Sequence, residues 1–125
     1  MWTEEKGRDV MTAKWRYDKQ LDFSKLNGLV PVVIQHADSG AVLMTAFMNE
    51  EAWRKTLETG RVTLFRRTLG RVWVKGEDDG HYVDALEILV DCDEDTVIVK
   101  ARPTDNLCGH GYPGCFIHKA VPAPA

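Results

Sequence analysis

The chain has 125 residues, of which 44% are hydrophobic and 28% charged, and its formal net charge is −3. This length fits one compact domain of ordinary globular composition. The negative charge argues against a general nucleic-acid binder, and no apolar run reaches the roughly 18 residues that a membrane span requires. The first 20 residues are mixed in charge and lack the apolar segment of a signal peptide, so we expect a cytoplasmic protein.

The chain divides by composition into three parts. Residues 1–20 predict an N-terminal extension, with Trp2 and Trp15 as candidate anchors. Residues 21–119 form one continuous stretch without internal repeats, and residues 120–125 are a Pro/Ala tail with nothing to bury. We therefore expect a single folded domain over residues 21–119.

The first half of this domain predicts a hairpin followed by a helix. Residues 30–35 and 41–48 are apolar runs separated by a turn, which is typical of a β-hairpin. Asn49 can cap a helix over residues 50–58, because two acidic residues occupy its first turn and Gly60 follows its end.

The second half predicts strands and a loop. Residues 61–67, 71–75, 81–92 and 96–101 are strand candidates separated by glycine or acidic turns, and residues 102–115 are rich in Gly, Pro and Asn. The prediction is an α+β domain of mainly antiparallel strands with one main helix.

An acidic run with an embedded cysteine covers Asp91, Cys92, Asp93, Glu94 and Asp95. If the preceding strand continues through the run, its period of two points the aspartates to one side and the cysteine to the other. Carboxylates suit hard cations such as Mg²⁺, whereas a thiolate suits Zn²⁺. The alternative is a solvated acidic turn between two strands.

Three cysteines in a chain without a secretory signal indicate metal binding or catalysis rather than disulfides. Cys108 and Cys115 lie among glycines and a proline, a composition that suits a metal loop better than a packed core. Together with Cys92 they would match a catalytic zinc site of three protein ligands and one open position. Zinc in such a site lowers the pKa of bound water toward neutrality. The alternative is that the cysteines are small buried hydrophobic residues.

These motifs, taken together and in order, resemble the phosphoribosyl-AMP cyclohydrolase family over residues 21–117. The matching stretches are Leu21-Asp22-Phe23 to Leu29-Val30-Pro31, Gly40-Ala41-Val42-Leu43-Met44 to Met48-Asn49-Glu50, Trp73-Val74-Lys75-Gly76-Glu77, Gly80-His81, Asp91-Cys92-Asp93-Glu94-Asp95, Cys108, and Cys115-Phe116.

The resemblance implies a metal-dependent hydrolase of histidine biosynthesis that opens the purine ring of phosphoribosyl-AMP. It implies that Cys92, Cys108 and Cys115 hold zinc shared between the two subunits of a homodimer. It also implies that Asp91, Asp93 and Asp95 hold magnesium.

Catalytic and substrate residues are predicted from their chemistry and their place beside these motifs. Hydrolysis of a ring C–N bond needs a base and then an acid. An indole can stack on a purine, and basic side chains can contact phosphate. The candidates are His110, His81 and Glu77 for proton transfer, and Arg67, Trp73 and Lys75 for substrate binding.

The chain departs from the family pattern at Leu69, Asp78, Asp79, Val83 and Gly109. The first replaces an arginine, the two aspartates add negative charge near a phosphorylated substrate, and the glycine stands where the family has histidine. Two alternatives to the cyclohydrolase function follow. One is a divergent relative that hydrolyses a different nucleotide-like heterocycle, and the other is a non-catalytic zinc-binding module.

Overall fold

A computed structural model describes residues 13–104, 106–108 and 110–124. In this part of the chain, the hairpin and helix of the first half are followed by four short strands. The elements are β1 (Val30–His36), β2 (Val42–Met48), α1 (Glu50–Thr59), β3 (Thr63–Arg66), β4 (Arg71–Val74), β5 (Glu87–Val90) and β6 (Val97–Ala101). No helix in the described ranges is both long and apolar enough to span a membrane.

Four strands form one sheet in the order β2-β1-β6-β5, and β3 and β4 form a separate antiparallel pair. The β1–β2 and β5–β6 pairs are antiparallel, whereas β1 and β6 run parallel. The predicted α+β class with mainly antiparallel strands is therefore confirmed. The parallel pair was not predicted, because nothing in the local sequence indicates that β6 lies beside β1.

The core lies on one face of the four-stranded sheet. Val30, Val32 and Ile34 of β1 are at most 1% exposed, and Val97 and Val99 of β6 are fully buried. Their spacing of two residues turns all five side chains to the same side of the strands. Fully burying an aliphatic side chain of this kind contributes about 1.5–3 kcal/mol, so these two central strands anchor the fold.

Helix α1 begins at Glu50, as the sequence predicts, and ends at Thr59, one residue beyond the predicted end. The Asn49 side chain accepts a hydrogen bond of 2.8 Å from the Ala52 backbone N–H. Gly60 has a left-handed backbone, with φ of 76°, and donates its N–H to the Thr56 carbonyl. Thr56 is buried, and its hydroxyl accepts a hydrogen bond of 3.0 Å from the Thr63 N–H. That bond ties the helix to β3.

Replacing Asn49 with alanine should lower the free energy of unfolding by about 1 kcal/mol, because the first turn of α1 loses its side-chain acceptor. Denaturant unfolding followed by circular dichroism measures the change. Asn49→Ser retains a capping oxygen and should stay close to the wild-type stability. Equal stability of Asn49→Ala and Asn49→Ser would contradict the capping role.

The prediction of one strand over residues 81–92 is wrong, because only Glu87–Val90 forms a strand. Before it, the Val83 carbonyl accepts the Val62 N–H and the Ala85 N–H is donated to the Gly60 carbonyl. These bonds hold the segment against the end of α1 and the residues before β3. Its backbone groups are therefore not available to pair with β6 as a longer β5 strand.

The described part of the N-terminal extension lies against α1. The Trp15 backbone N–H donates to the Leu57 carbonyl at 2.9 Å, and the Tyr17 ring meets the Trp53 ring edge-on at 5.9 Å between centroids. The Trp15 side chain is partly buried against the hydrophobic core. Trp2 lies outside the described residues.

Candidate metal and substrate site

The acidic run forms the turn between β5 and β6 rather than a continuation of the strand. Asp91 Oδ1 accepts hydrogen bonds from the backbone N–H groups of Asp95 at 3.0 Å and Thr96 at 3.2 Å. Glu94 has a left-handed backbone, with φ of 60°. β5 ends at Val90, where the Asp91 carboxylate closes the turn. The condition for alternating side chains, a strand that continues through the run, is therefore not met.

The turn nevertheless brings the three predicted aspartates together. Asp91, Asp93 and Asp95 each offer one carboxylate oxygen, and these oxygens lie within 4.8 Å of one another. Carboxylate oxygens in a group of this size are the ligand type that hard divalent cations take. The donor set therefore fits magnesium.

Residues 17–25 hold this turn from the N-terminal side. The Tyr17 hydroxyl donates to Glu94 Oε2 at 2.7 Å, and the Asp22 N–H donates to the Glu94 carbonyl, also at 2.7 Å. Lys25 Nζ lies 2.8 Å from Asp95 Oδ2. Sequence reasoning missed all three contacts, because no motif links the N-terminal segment to a turn so far along the chain.

These contacts shift the titration of the groups involved. The hydrogen bond to Glu94 raises the pKa of Tyr17 to about 12. The hydrogen bond from Lys25 holds the pKa of Asp95 below its usual value, with a second contribution from Asp91. In each case the hydrogen bond stabilises the form that makes it: the neutral phenol of Tyr17, which donates, and the ionised carboxylate of Asp95, which accepts.

The loop with the two later cysteines is closed by its own backbone and attached to β2. The Cys108 N–H is donated to the Tyr112 carbonyl at 3.1 Å, and the Leu107 N–H to the Pro113 carbonyl at 3.2 Å. The Cys115 N–H is donated to the Leu43 carbonyl at 2.6 Å. These three bonds hold the backbone of the loop at Cys108 and at Cys115.

The thiols of Cys108 and Cys115 are neighbours, whereas Cys92 lies in the acidic turn. Partial burial raises the pKa of Cys115, and the adjacent Cys108 raises it further through charge and hydrogen bonding. Within the described ranges, no third Cys, His, Asp or Glu completes a metal-sized group with this pair. One chain therefore brings together two of the three predicted thiol ligands.

A cavity of about 180 Å³ opens beside the cysteine loop. It is lined by the β4 end, the following turn, and the segment that leads to the cysteines: Trp73, Lys75, Gly76, Asp78, Asp79, His81, Tyr82, Val83, Pro103, Thr104, Asn106 and Leu107. Lys75 connects the cavity to the loop, because its Nζ donates to the Leu107 carbonyl at 3.2 Å. Three of the predicted residues, Trp73, Lys75 and His81, therefore meet in this cavity.

Two other predicted residues lie elsewhere. Glu77 accepts the Val74 N–H at 2.7 Å and pairs with Arg71 at 3.1 Å, and these bonds lower the pKa of Glu77. Arg67 places its guanidinium over the Phe47 ring, 4.2 Å from the centroid. Neither residue lines the cavity.

Two cationic side chains lie over the Trp73 ring. The Arg66 guanidinium lies over it at 4.9 Å from the centroid and Lys75 Nζ at 5.2 Å. Trp73 is 9% exposed, and its Nε1 is buried without a hydrogen-bond partner among the described residues. The two cations thus occupy the ring faces that a stacked base would need, and the indole N–H is a buried donor.

Three of the departures from the family pattern, Asp78, Asp79 and Val83, line the same cavity. Asp79 Oδ1 accepts the His81 N–H at 2.9 Å. Leu69 is 53% exposed between β3 and β4, and Gly109 lies outside the described residues. His110 is exposed, and its backbone N–H contacts Cys108 Sγ at 3.4 Å.

A small α+β domain with paired thiols, clustered carboxylates and an adjoining cavity defines a candidate metal and ligand site. Residues 44–117 match the model of the phosphoribosyl-AMP cyclohydrolase family. This range covers more than half of the chain and includes every predicted metal ligand. The chain belongs to the phosphoribosyl-AMP cyclohydrolase family.

Curated relatives agree with this assignment. The chain is 49% identical over 98 residues to the histidine biosynthesis bifunctional protein HisIE of Escherichia coli K12, covering 78% of this chain and 48% of that protein. It is 47% identical over 100 residues to the protein of the same name from Bacteroides thetaiotaomicron, covering 80% and 49%. The chain thus spans about half the length of these relatives.

Proposed function

We propose that this chain is a cytoplasmic cyclohydrolase that opens the purine ring of phosphoribosyl-AMP by hydrolysing a ring C–N bond, as a step of histidine biosynthesis. The observation that carries the proposal is the cysteine pair on a fixed loop beside a cavity lined by Trp73, Lys75 and His81. Family membership supports the same reaction. A zinc-binding module without catalysis would not need such a cavity.

The zinc ligands we assign are Cys108 and Cys115, with Cys92 of the partner subunit in a homodimer. Two neighbouring thiols suit zinc, but a catalytic zinc ion usually has three protein ligands, so one ligand is missing. Cys92 lies in a different turn of the same chain, so a second copy is the natural source of the third thiol. When bound, zinc would act as a Lewis acid and lower the pKa of a water ligand.

The magnesium ligands we assign are Asp91, Asp93 and Asp95, whose oxygens are already grouped. Magnesium in proteins is held by a few carboxylates and often by substrate phosphates. The aspartate turn would therefore hold the ion and contribute to binding a phosphorylated substrate.

The remaining residues would bind the substrate and move protons. His81 lies in the cavity and would carry a proton to or from the ring nitrogen, and His110, beside Cys108, is the second candidate. Trp73 would form part of the cavity wall that contacts the substrate. Lys75 would contribute positive charge. Arg67 remains a candidate for phosphate from outside the cavity, whereas Glu77 is better suited to hold the β4 turn.

The test is ring opening of phosphoribosyl-AMP by the zinc-loaded protein, with metal content measured on the same samples. Cys115→Ser should lose zinc and lower turnover by more than about a hundredfold, since even outer contacts of a metal site are worth about 10–100-fold. Full zinc content in Cys115→Ser would contradict the ligand assignment. An inactive wild type with full zinc would contradict the substrate.

One observation favours a second substrate, namely that Asp78 and Asp79 line the cavity that a phosphorylated nucleotide would enter. Like charges of this kind oppose binding of an anionic substrate. A relative acting on a different nucleotide-like heterocycle is therefore the second candidate. If the wild type is inactive on phosphoribosyl-AMP and Leu69→Arg with Gly109→His gains turnover, this candidate is correct.

A further inference from the structure

Lys25 places an ammonium group directly on the aspartate turn. It lies in a tight loop before β1, which is closed by the Gly28 N–H donating to the Phe23 carbonyl at 2.8 Å. Its Nζ lies 2.8 Å from Asp95 Oδ2, although the two residues are 70 positions apart in the chain. The contact is therefore made by the fold and not by neighbouring sequence.

Negative charge is concentrated in the aspartate turn. Three carboxylates with oxygens within 4.8 Å repel one another when all are ionised. Lys25 supplies a positive charge at one of them, Asp95. The metal-free turn is thus partly neutralised by a side chain of the same subunit.

Lys25 and a metal ion would compete for the same carboxylate. Asp95 Oδ2 accepts the Lys25 ammonium, and Asp95 Oδ1 accepts the Thr96 hydroxyl at 3.3 Å. Magnesium binds oxygen at about 2.0–2.1 Å, much closer than an ammonium nitrogen approaches. Two cations on one carboxylate repel each other, so the ammonium and the metal ion oppose each other at Asp95.

The exposures of the two partners indicate which one moves. The Lys25 side chain is 51% exposed, whereas the Asp95 side chain is 20% exposed. A flexible lysine at the surface can turn into solvent at little cost, because its ammonium is readily hydrated there. Asp95 is held by the turn and stays.

We propose that Lys25 is a tethered counter-cation, which stabilises the aspartate turn without metal and leaves Asp95 when Mg²⁺ binds. The inference rests on the proposed magnesium site. Lys25 then sets the affinity of the site, because each bound ion must first displace the ammonium. Removing the ammonium should therefore tighten metal binding while it weakens the metal-free turn.

The experiment is calorimetric titration of the zinc-loaded protein with MgCl₂ at low ionic strength. Lys25→Met should bind Mg²⁺ roughly two- to fivefold more tightly than wild type, the range expected for loss of one exposed ion pair. Its melting temperature without Mg²⁺ should fall, and Mg²⁺ should raise it by more than in the wild type. Lys25→Arg keeps the cation and should behave like wild type.

Lys55→Met is the matched control. Lys55 is similarly exposed and pairs with Glu51 on α1 at 3.5 Å, so the variant removes the same charge away from the turn. It should leave Mg²⁺ affinity unchanged. Equal or weaker Mg²⁺ binding by Lys25→Met would overturn the inference but not the magnesium site. If neither the wild type nor Lys25→Met binds Mg²⁺ more tightly than Asp93→Asn, both proposals fail.

Discussion

Mixing two inactive variants, Cys92→Ser and Cys108→Ser, should restore zinc binding and about a quarter of the wild-type activity. In a symmetric dimer with shared ligands, each site takes Cys92 from one subunit and the cysteine pair from the other. A mixed dimer of the two variants then holds one doubly damaged site and one intact site. Half of the randomly formed dimers are mixed, which leaves about one site in four functional.

The measurement is zinc content and turnover after the two variants are unfolded together and refolded, beside each variant refolded alone. Each variant alone should have neither zinc nor activity. A matched mixture of Cys108→Ser with Cys115→Ser damages the same half of every site and should recover nothing. If neither mixture regains zinc or activity, the subunits do not share zinc ligands. The assignment of Cys92 to the same zinc site as Cys108 and Cys115 would then be contradicted.

Replacing Gly76 with alanine should destabilise the protein by roughly 2–5 kcal/mol, the sum of a left-handed alanine and an overpacked contact. Gly76 has φ of 99°, and a Cβ there would clash with the His81 carbonyl oxygen and lie 2.6 Å from the Tyr82 nitrogen. Both are backbone atoms, so no side chain can move aside. The segment that lines the cavity must shift instead.

Gly70→Ala is the control, because Gly70 also has a left-handed backbone, with φ of 64°, but nothing lies within 4 Å of its added Cβ. It should cost only about 1–2 kcal/mol. Denaturant unfolding of the two variants compares the costs, and the Michaelis constant of any folded Gly76→Ala protein reports the displaced cavity wall. Equal stabilities would show that the close approach at Gly76 is not needed.

Local sequence is enough to predict the features that depend on neighbours along the chain. Asn49 and Gly60 mark the ends of α1 because a capping side chain and a left-handed glycine act within one turn. The β1–β2 hairpin follows from two apolar runs and a short turn. Local sequence also predicts the types of candidate ligand, which are thiolates in a glycine-rich loop and aspartates in one run.

Prediction from local pattern failed where backbone groups bond to distant segments. Residues 81–86 contain strand-forming residues, yet the hydrogen bonds of Val83 and Ala85 go to Val62 and Gly60. Asp91 ends β5 because its carboxylate accepts two backbone N–H groups of the turn, which a period of two does not reveal. In both places, hydrogen-bond satisfaction outweighed strand propensity.

Which functional groups lie together depends on how the strands and loops pack. Packing of β6 between β1 and β5 brings the acidic turn to the loop before β1, and so puts Lys25 on Asp95. Folding of the cysteine loop onto β2 brings Cys108 beside Cys115 while Cys92 remains in the acidic turn. Spacing along the chain does not encode these distances, because they depend on the order of strands in the sheet and on burial of one common core.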